Sequence, residues 1–136
     1  MALIIMPALV LGLIIGIYEA ILLHRDVTIA THRFGHMIHA LFFAVVATFA
    51  TMNAEYVVSL LPFLQSIPFN PVLSVQILVG VIMMAKTHGV SAVIKSSGSA
   101  MGLKETWFHS ALIAALVVAA PYVWPLIEPI APDFMK

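Results

Sequence analysis

Residues 34–54 read FGHMIHALFFAVVATFATMNA, 21 consecutive positions without Asp, Glu, Lys or Arg. At 1.5 Å of rise per residue such a helix is about 30 Å long, the thickness of a bilayer's hydrocarbon core. The whole chain has the same character. Hydrophobic residues fill 62% of its 136 positions, charged residues only 9%, and the mean hydropathy is +1.11. A soluble domain carries about 25% charged residues, so this chain lacks the polar groups to cover a globule in water. The expectation is an all-α integral membrane protein with the lipid bilayer as its solvent.

Four spans are expected within one domain, at about 2–23, 33–61, 71–94 and 106–127. No Lys or Arg precedes Arg25. The first run therefore lacks the positive flank of a signal peptide and reads as a retained helix. Pro62, Pro68 and Pro71 punctuate the segment after the second run. Asn70-Pro71 has the chemistry of a helix start, because Asn can cap free amides and Pro fits the first helical position. Ser96-Ser97-Gly98-Ser99 is a turn by composition, and Pro121 and Pro125 are expected to bend the last span.

Charge asymmetry gives these spans a direction. Arg25 and Arg33 flank one connection and Lys95 and Lys104 another, whereas residues 55–70 and the amino terminus have no Lys or Arg. Alternate loops are thus basic, as a four-transmembrane-helix bundle with short loops requires. Both termini are expected on the outer side and the basic loops in the cytoplasm, in the cytoplasmic membrane of a prokaryote. A three-span arrangement, with one end lying in the interface, is the competing topology.

Several function classes fall away. The formal net charge is zero, which leaves no basic surface for nucleic acid. No cysteine is present, so disulfides, thiolate nucleophiles and cysteine zinc sites are excluded. No HExxH, GxSxG, phosphate loop or dinucleotide fingerprint occurs. Small residues do recur at four-residue spacing: Gly12, Gly16 and Ala20; Ala40, Ala44 and Thr48; Ala111, Ala115 and Ala119. Such stripes let helix backbones approach closely, inside a bundle or against a partner.

The chemistry-bearing residues gather where the runs meet the basic loops. Glu19 lies just inside the end of the first span, His36 and His39 inside the start of the second, Lys86 and His88 before the end of the third, and Glu105 and His109 at the start of the fourth. All four spans contribute at a similar depth, and ionisable groups in a membrane are functional suspects. His32, His36 and His39 share a helix face, as do Glu105 and His109. Imidazoles and carboxylates so placed can ligate a metal between helices. The candidate cofactor ligands are His36, His39, His88 and His109, with Glu19 and Glu105 added for a bare metal. The cofactor would be b-type haem or a transition metal such as Fe, Cu or Zn.

Plainer roles stand beside these. His24 and His32 belong to the loop region and suit interfacial solvation. Lys86 can snorkel to the surface. Glu55 reads as an interfacial carboxylate beside Asn53 and Tyr56. Tyr122 and Trp124 suit an outer aromatic belt and Trp107 an inner one. The His32, His36, His39 spacing resembles in part the histidine boxes of membrane di-iron hydroxylases and desaturases. Those boxes need more histidines than the six here, and no HxxHH occurs, so that family is set aside.

The expected function is a small membrane subunit of a larger redox or energy-coupling complex, docked on other membrane subunits or on copies of itself. The competing expectation is a homo-oligomeric channel or transporter for protons, ammonium-like solutes or metal cations. Against it stands the sparse polar lining of the outer halves, limited to Thr48, Thr51, Asn53, Ser74 and Gln76.

Overall fold

The computed structural model describes residues 2–26, 30–66, 68–96 and 107–136. The side chains of His24, Arg25, His32, Arg33, His36 and Lys95, and residues Lys104 and Glu105 entirely, lie outside what is described. Every described element is helical: α1 (Met6–Asp26), α2 (Ala30–Met52), α3 (Ala54–Leu60), α4 (Pro71–Ser96) and α5 (Trp107–Ile127), with short 3-10 turns at Pro62–Ser66, Glu128–Ile130 and Asp133–Met135. Among the described residues, two helical stretches, Pro71–Gly89 and Trp107–Ile130, are long and apolar enough to cross a membrane. A third crossing is available if Met37–Met52 and Ala54–Leu60 are counted together, although they meet at 80°. The apolar stretch Met6–Leu22 is shorter.

The second expected span is thus not one helix to residue 61. Asn53 interrupts it with φ −112° and ψ 33°, and α3 turns away. The physical reason is visible in the side chain. Asn53 Nδ2 donates to the carbonyls of Phe49 and Ile4, and its Oδ1 accepts from Ile4 N–H. The amide spends its hydrogen bonds tying the start of the chain to the end of α2, which fixes the break. Downstream the start signal holds: Asn70 Oδ1 accepts from the Val72 and Leu73 amides, so α4 begins capped with Pro71 as its first residue.

The four long helices pack side by side: α1 on α2, α2 on α4 and on α5, α4 on α5, and α5 more lightly on α1. Their buried faces combine small and polar residues with a few large ones such as Leu11, Ile15, Ile113 and Trp124, and many other large apolar side chains point outward. On α1 the buried positions are Pro7, Ala8, Leu11, Gly12, Ile15, Gly16, Glu19 and Ala20, a pair every turn, whereas Ile14, Ile17 and Ile21 are more than half exposed. Phe42, Ile82, Phe108 and Leu126 also face out. Water would penalise such a surface; lipid does not.

Two of the three small-residue stripes form the packing. A Cβ on Gly12 would lie 2.7 Å from Val45 Cα, and one on Gly16 would lie 2.9 Å from Leu41 Cα, so α1 and α2 touch backbone to backbone. Ala40, Ala44 and Thr48 are buried on the opposing helix. The α5 stripe behaves differently. Ala111 and Ala115 are exposed and Ala119 only half-buried, while Ser110, Ile113, Ala114, Val117, Ala120 and Trp124 form the inward face. Trp124 is therefore a core residue, packed with Ala8, Leu11, Met52 and Ala120, and not part of an interfacial belt.

Candidate functional site

The interior polar residues set the site. Glu19, Thr48, Thr51, Asn53, Gln76, Thr87 and Ser110 are all buried, and every long helix supplies at least one. Their placement follows helix periodicity. Gln76, Gly80, Met83 and Thr87 recur at three- and four-residue steps along the buried stripe of α4. Thr48 and Thr51 do the same on α2, and Ser110 opens the buried stripe of α5.

At one end stands Glu19, only 4% exposed. Thr87 Oγ1 of α4 donates to its Oε1 at 3.2 Å. This bond joins α1 to α4, which otherwise sit apart across the group, so the carboxylate reaches through the middle. A carboxylate taken out of water needs such partners, because desolvation disfavours its charge strongly.

At the other end the groups interlock. Thr51 Oγ1 shares its one proton between Val117 O at 2.9 Å and Thr48 O at 3.0 Å. Gln76 Nε2 donates to Thr51 O at 3.3 Å, and Tyr122 Oη donates to Gln76 Oε1 at 2.6 Å. Between the two ends lie the hydroxyls of Thr48 and Ser110, both fully buried and neither bonded to a protein group. Ile4, tied to Asn53, precedes Glu19 by fifteen positions, so the polar interior extends over about 20 Å along the axis.

The histidines take other positions. Lys86 Nζ lies 4.1 Å from the centre of the Phe43 ring, and His39 packs against the same ring at 4.8 Å. His39 itself is exposed. His88 stacks on Trp107, with ring centres 3.6 Å apart and planes 13° from parallel. His109 is half-buried one residue from the buried Ser110. Glu19, Lys86, His88 and the Trp107–His109 turn share one end of the helix group through these contacts. Among the described residues, however, no three His, Asp or Glu side chains come close enough to hold a metal ion. The His36 side chain and Glu105, both named as candidate ligands, lie outside the described residues.

No protein-family model, curated protein or solved structure matches this chain.

What the molecule does must therefore be read from its own side chains. Sequence reasoning found Glu19 and named Thr48, Thr51, Asn53 and Gln76 as a thin lining. It missed Thr87 and Ser110. The signal for Thr87 was available in its spacing from Gly80 and Met83, which puts it on the stripe that faces the interior. Ser110 carried none, since Ala111, Ala115 and Ala119 offered an equally regular stripe one residue away.

Proposed function

We propose that this protein is a four-span membrane subunit that handles protons within an energy-coupling assembly, with α1, α2, α4 and α5 as the spans. Both termini and the Asn53 end face outward, and the basic loops and the Glu19 end face the cytoplasm. The single observation that carries the reading is the buried Glu19 carboxylate, bonded to Thr87 at one end of an interior polar file drawn from all four helices. A carboxylate buried in this way is costly in lipid and is retained where it does work.

The chemistry follows from the side-chain inventory. A carboxylate accepts and releases a proton, and a hydroxyl can pass one by donating on one side while accepting on the other. Ser110 and Thr48 have hydrogen-bonding capacity left to join water between Glu19 and the Thr51–Gln76–Tyr122 group. Four of the five outer polar residues, Thr48, Thr51, Asn53 and Gln76, are buried inside the helix group. That favours proton handling over cofactor binding. The exposed Ala111–Ala115 face of α5 is available for docking on neighbouring subunits or a second copy.

Proteoliposomes loaded with a pH-sensitive dye and given a potassium–valinomycin potential provide the test. The wild-type chain should acidify or alkalinise the lumen according to the sign of the potential, and Glu19→Gln should abolish the flux while leaving helix content intact. Equal flux through Glu19→Gln overturns the reading. So does a lumen that never changes pH in vesicles containing the assembly purified whole from native membrane.

A second reading, haem or a transition metal at the Glu19 end, draws on one observation. His88 Nδ1 is buried and makes no hydrogen bond to protein, so its ring offers a nitrogen for ligation. His36 or Glu105 would have to complete the set. An absorption spectrum with a haem band, or a stoichiometric metal lost in His88→Ala, supports this reading. A colourless, metal-free chain from native membranes ends it.

A further inference from the structure

After Met52 the chain leaves the direction of α2, and α3 meets it at 80°. One face of α3 is fixed by packing. Ala54 is buried with Leu64 and Val75, and Val57 and Val58 join the same cluster beside Val72 and Val79 of α4. The segment is thus held against the first turns of α4 in one orientation.

The rest of the α3 surface is divided by polarity. Successive helical residues are about 100° apart, so Ala54, Val57 and Val58 share the packed face and two further strips remain. One strip carries Glu55 and Ser59, the other Tyr56 and Leu60, each pair four residues apart. All four side chains are exposed. Beyond the helix, Phe63 and Phe69 are 67% and 76% exposed.

A segment with three such strips suits one place in a bilayer. Water on every open side would penalise Leu60, Phe63 and Phe69. Hydrocarbon on every open side would strand the Glu55 carboxylate. It would also surround Pro62, Gln65, Pro68 and Asn70, which are exposed outside any α-helix, and irregular backbone facing lipid does not occur at that depth. The crossing does not need this segment, because the 23 residues of α2 rise about 34 Å by themselves. No Lys or Arg occurs from residue 34 to residue 85, so the attraction is apolar and not a search for anionic headgroups.

We propose that α3, with Phe63 and Phe69, is an interfacial foot. It lies in the outer leaflet at the boundary of headgroups and acyl chains, with Glu55 and Ser59 toward water and Tyr56 and Leu60 in lipid. The foot rests on the four-span reading for the position of the bilayer, and deepens it by setting the depth of the polar interior. Gln76 lies about 8 Å along α4 from Pro71, so a foot beside those turns keeps the Thr51–Gln76–Tyr122 group close beneath the headgroups.

The chain has no cysteine, so single cysteines take a nitroxide label without background. The labels go on Glu55→Cys, Tyr56→Cys, Ser59→Cys and Leu60→Cys, and on Val81→Cys, about 15 Å along α4 from Pro71. All five positions are exposed, so the full chain keeps its packing. In phosphatidylcholine vesicles, oxygen collides with labels in lipid and a neutral nickel chelate with labels in water. Labels at Tyr56 and Leu60 should favour oxygen, at about 5–10 Å below the headgroup boundary. Those at Glu55 and Ser59 should favour nickel, and the label at Val81 should lie deepest. Loss of the alternation along α3 overturns the proposal. That holds whether all four labels meet nickel, as on a segment held in water, or all four share the depth of Val81, as in a re-entrant loop. A deep Val81 label in either case leaves α4 as a span and removes the foot alone. A Val81 label open to nickel removes the spanning reading and the foot with it.

Discussion

The Thr51 hydroxyl donates at 2.9 Å to the carbonyl of Val117, the carbonyl whose helical donor Pro121 removes. Proline has no N–H, so a proline inside a helix leaves the carbonyl four residues earlier without its bond. In lipid no water replaces it, and a neighbouring helix must. Thr51 does this from α2, with only 1% of its surface exposed. The proline in α5 and the threonine in α2 are therefore one feature, which fixes the register of two parallel helices.

Thr51→Val should cost about 0.6 kcal/mol and at most roughly 1.7 kcal/mol, the range for hydrogen bonds between membrane helices. In a Pro121→Ala background the restored N–H serves Val117, so the same substitution should cost close to nothing. A double-mutant cycle on unfolding in mixed micelles measures the coupling. Strictly additive effects would mean that the two residues act apart.

The glycines of α1 contrast with Gly89 of α4. Gly12→Ala and Gly16→Ala each force the α1 and α2 backbones apart and should destabilise by about 1–3 kcal/mol, as overpacking does. Gly89→Ala meets nothing within 4 Å and should stabilise its helix by about 0.5–1 kcal/mol. Unfolding midpoints of the three variants check both signs in one experiment.

A hydrophobic carbodiimide adds to a protonated carboxylic acid in an apolar setting. It should label Glu19 and spare the exposed Glu55, Glu128 and Asp133. Peptide mapping by mass spectrometry locates the adduct. Thr87→Val, which takes away the donor to Glu19 Oε1, should slow proton flux without abolishing it. A flux unchanged in Thr87→Val would detach that hydroxyl from the path.

The stack of His88 on Trp107 pins the end of α4 to the start of α5. Aromatic pairs of this kind contribute about 0.5–1.5 kcal/mol beyond the area they bury. His88→Ala should lose that amount and shift Trp107 emission, leaving the buried Trp124 unaffected. A cycle with Trp107→Ala should show coupling of the same size.

The amino-acid sequence by itself determined the apolar character of the helices and their spacing. A chain with 9% charged residues and uncharged runs near 20 positions supplies helices long and apolar enough to cross a membrane. The cap at Asn70, the start at Pro71 and the glycine seam of α1 were equally legible, because each depends on neighbours within a turn or two. Tertiary structure alone decided the rest. It chose between two equally regular stripes on α5, turning Ser110, Ala114 and Val117 inward and Ala111 and Ala115 outward. It broke the second run at Asn53, because the amide bonds to Ile4, 49 positions away. It also drew Glu19 to Thr87 across 68 positions and left His39 at the surface. The physical reason is common to all three. Composition and periodicity record the solvent a helix prefers and the faces it has, whereas which face meets which neighbour depends on contacts between residues far apart in the chain.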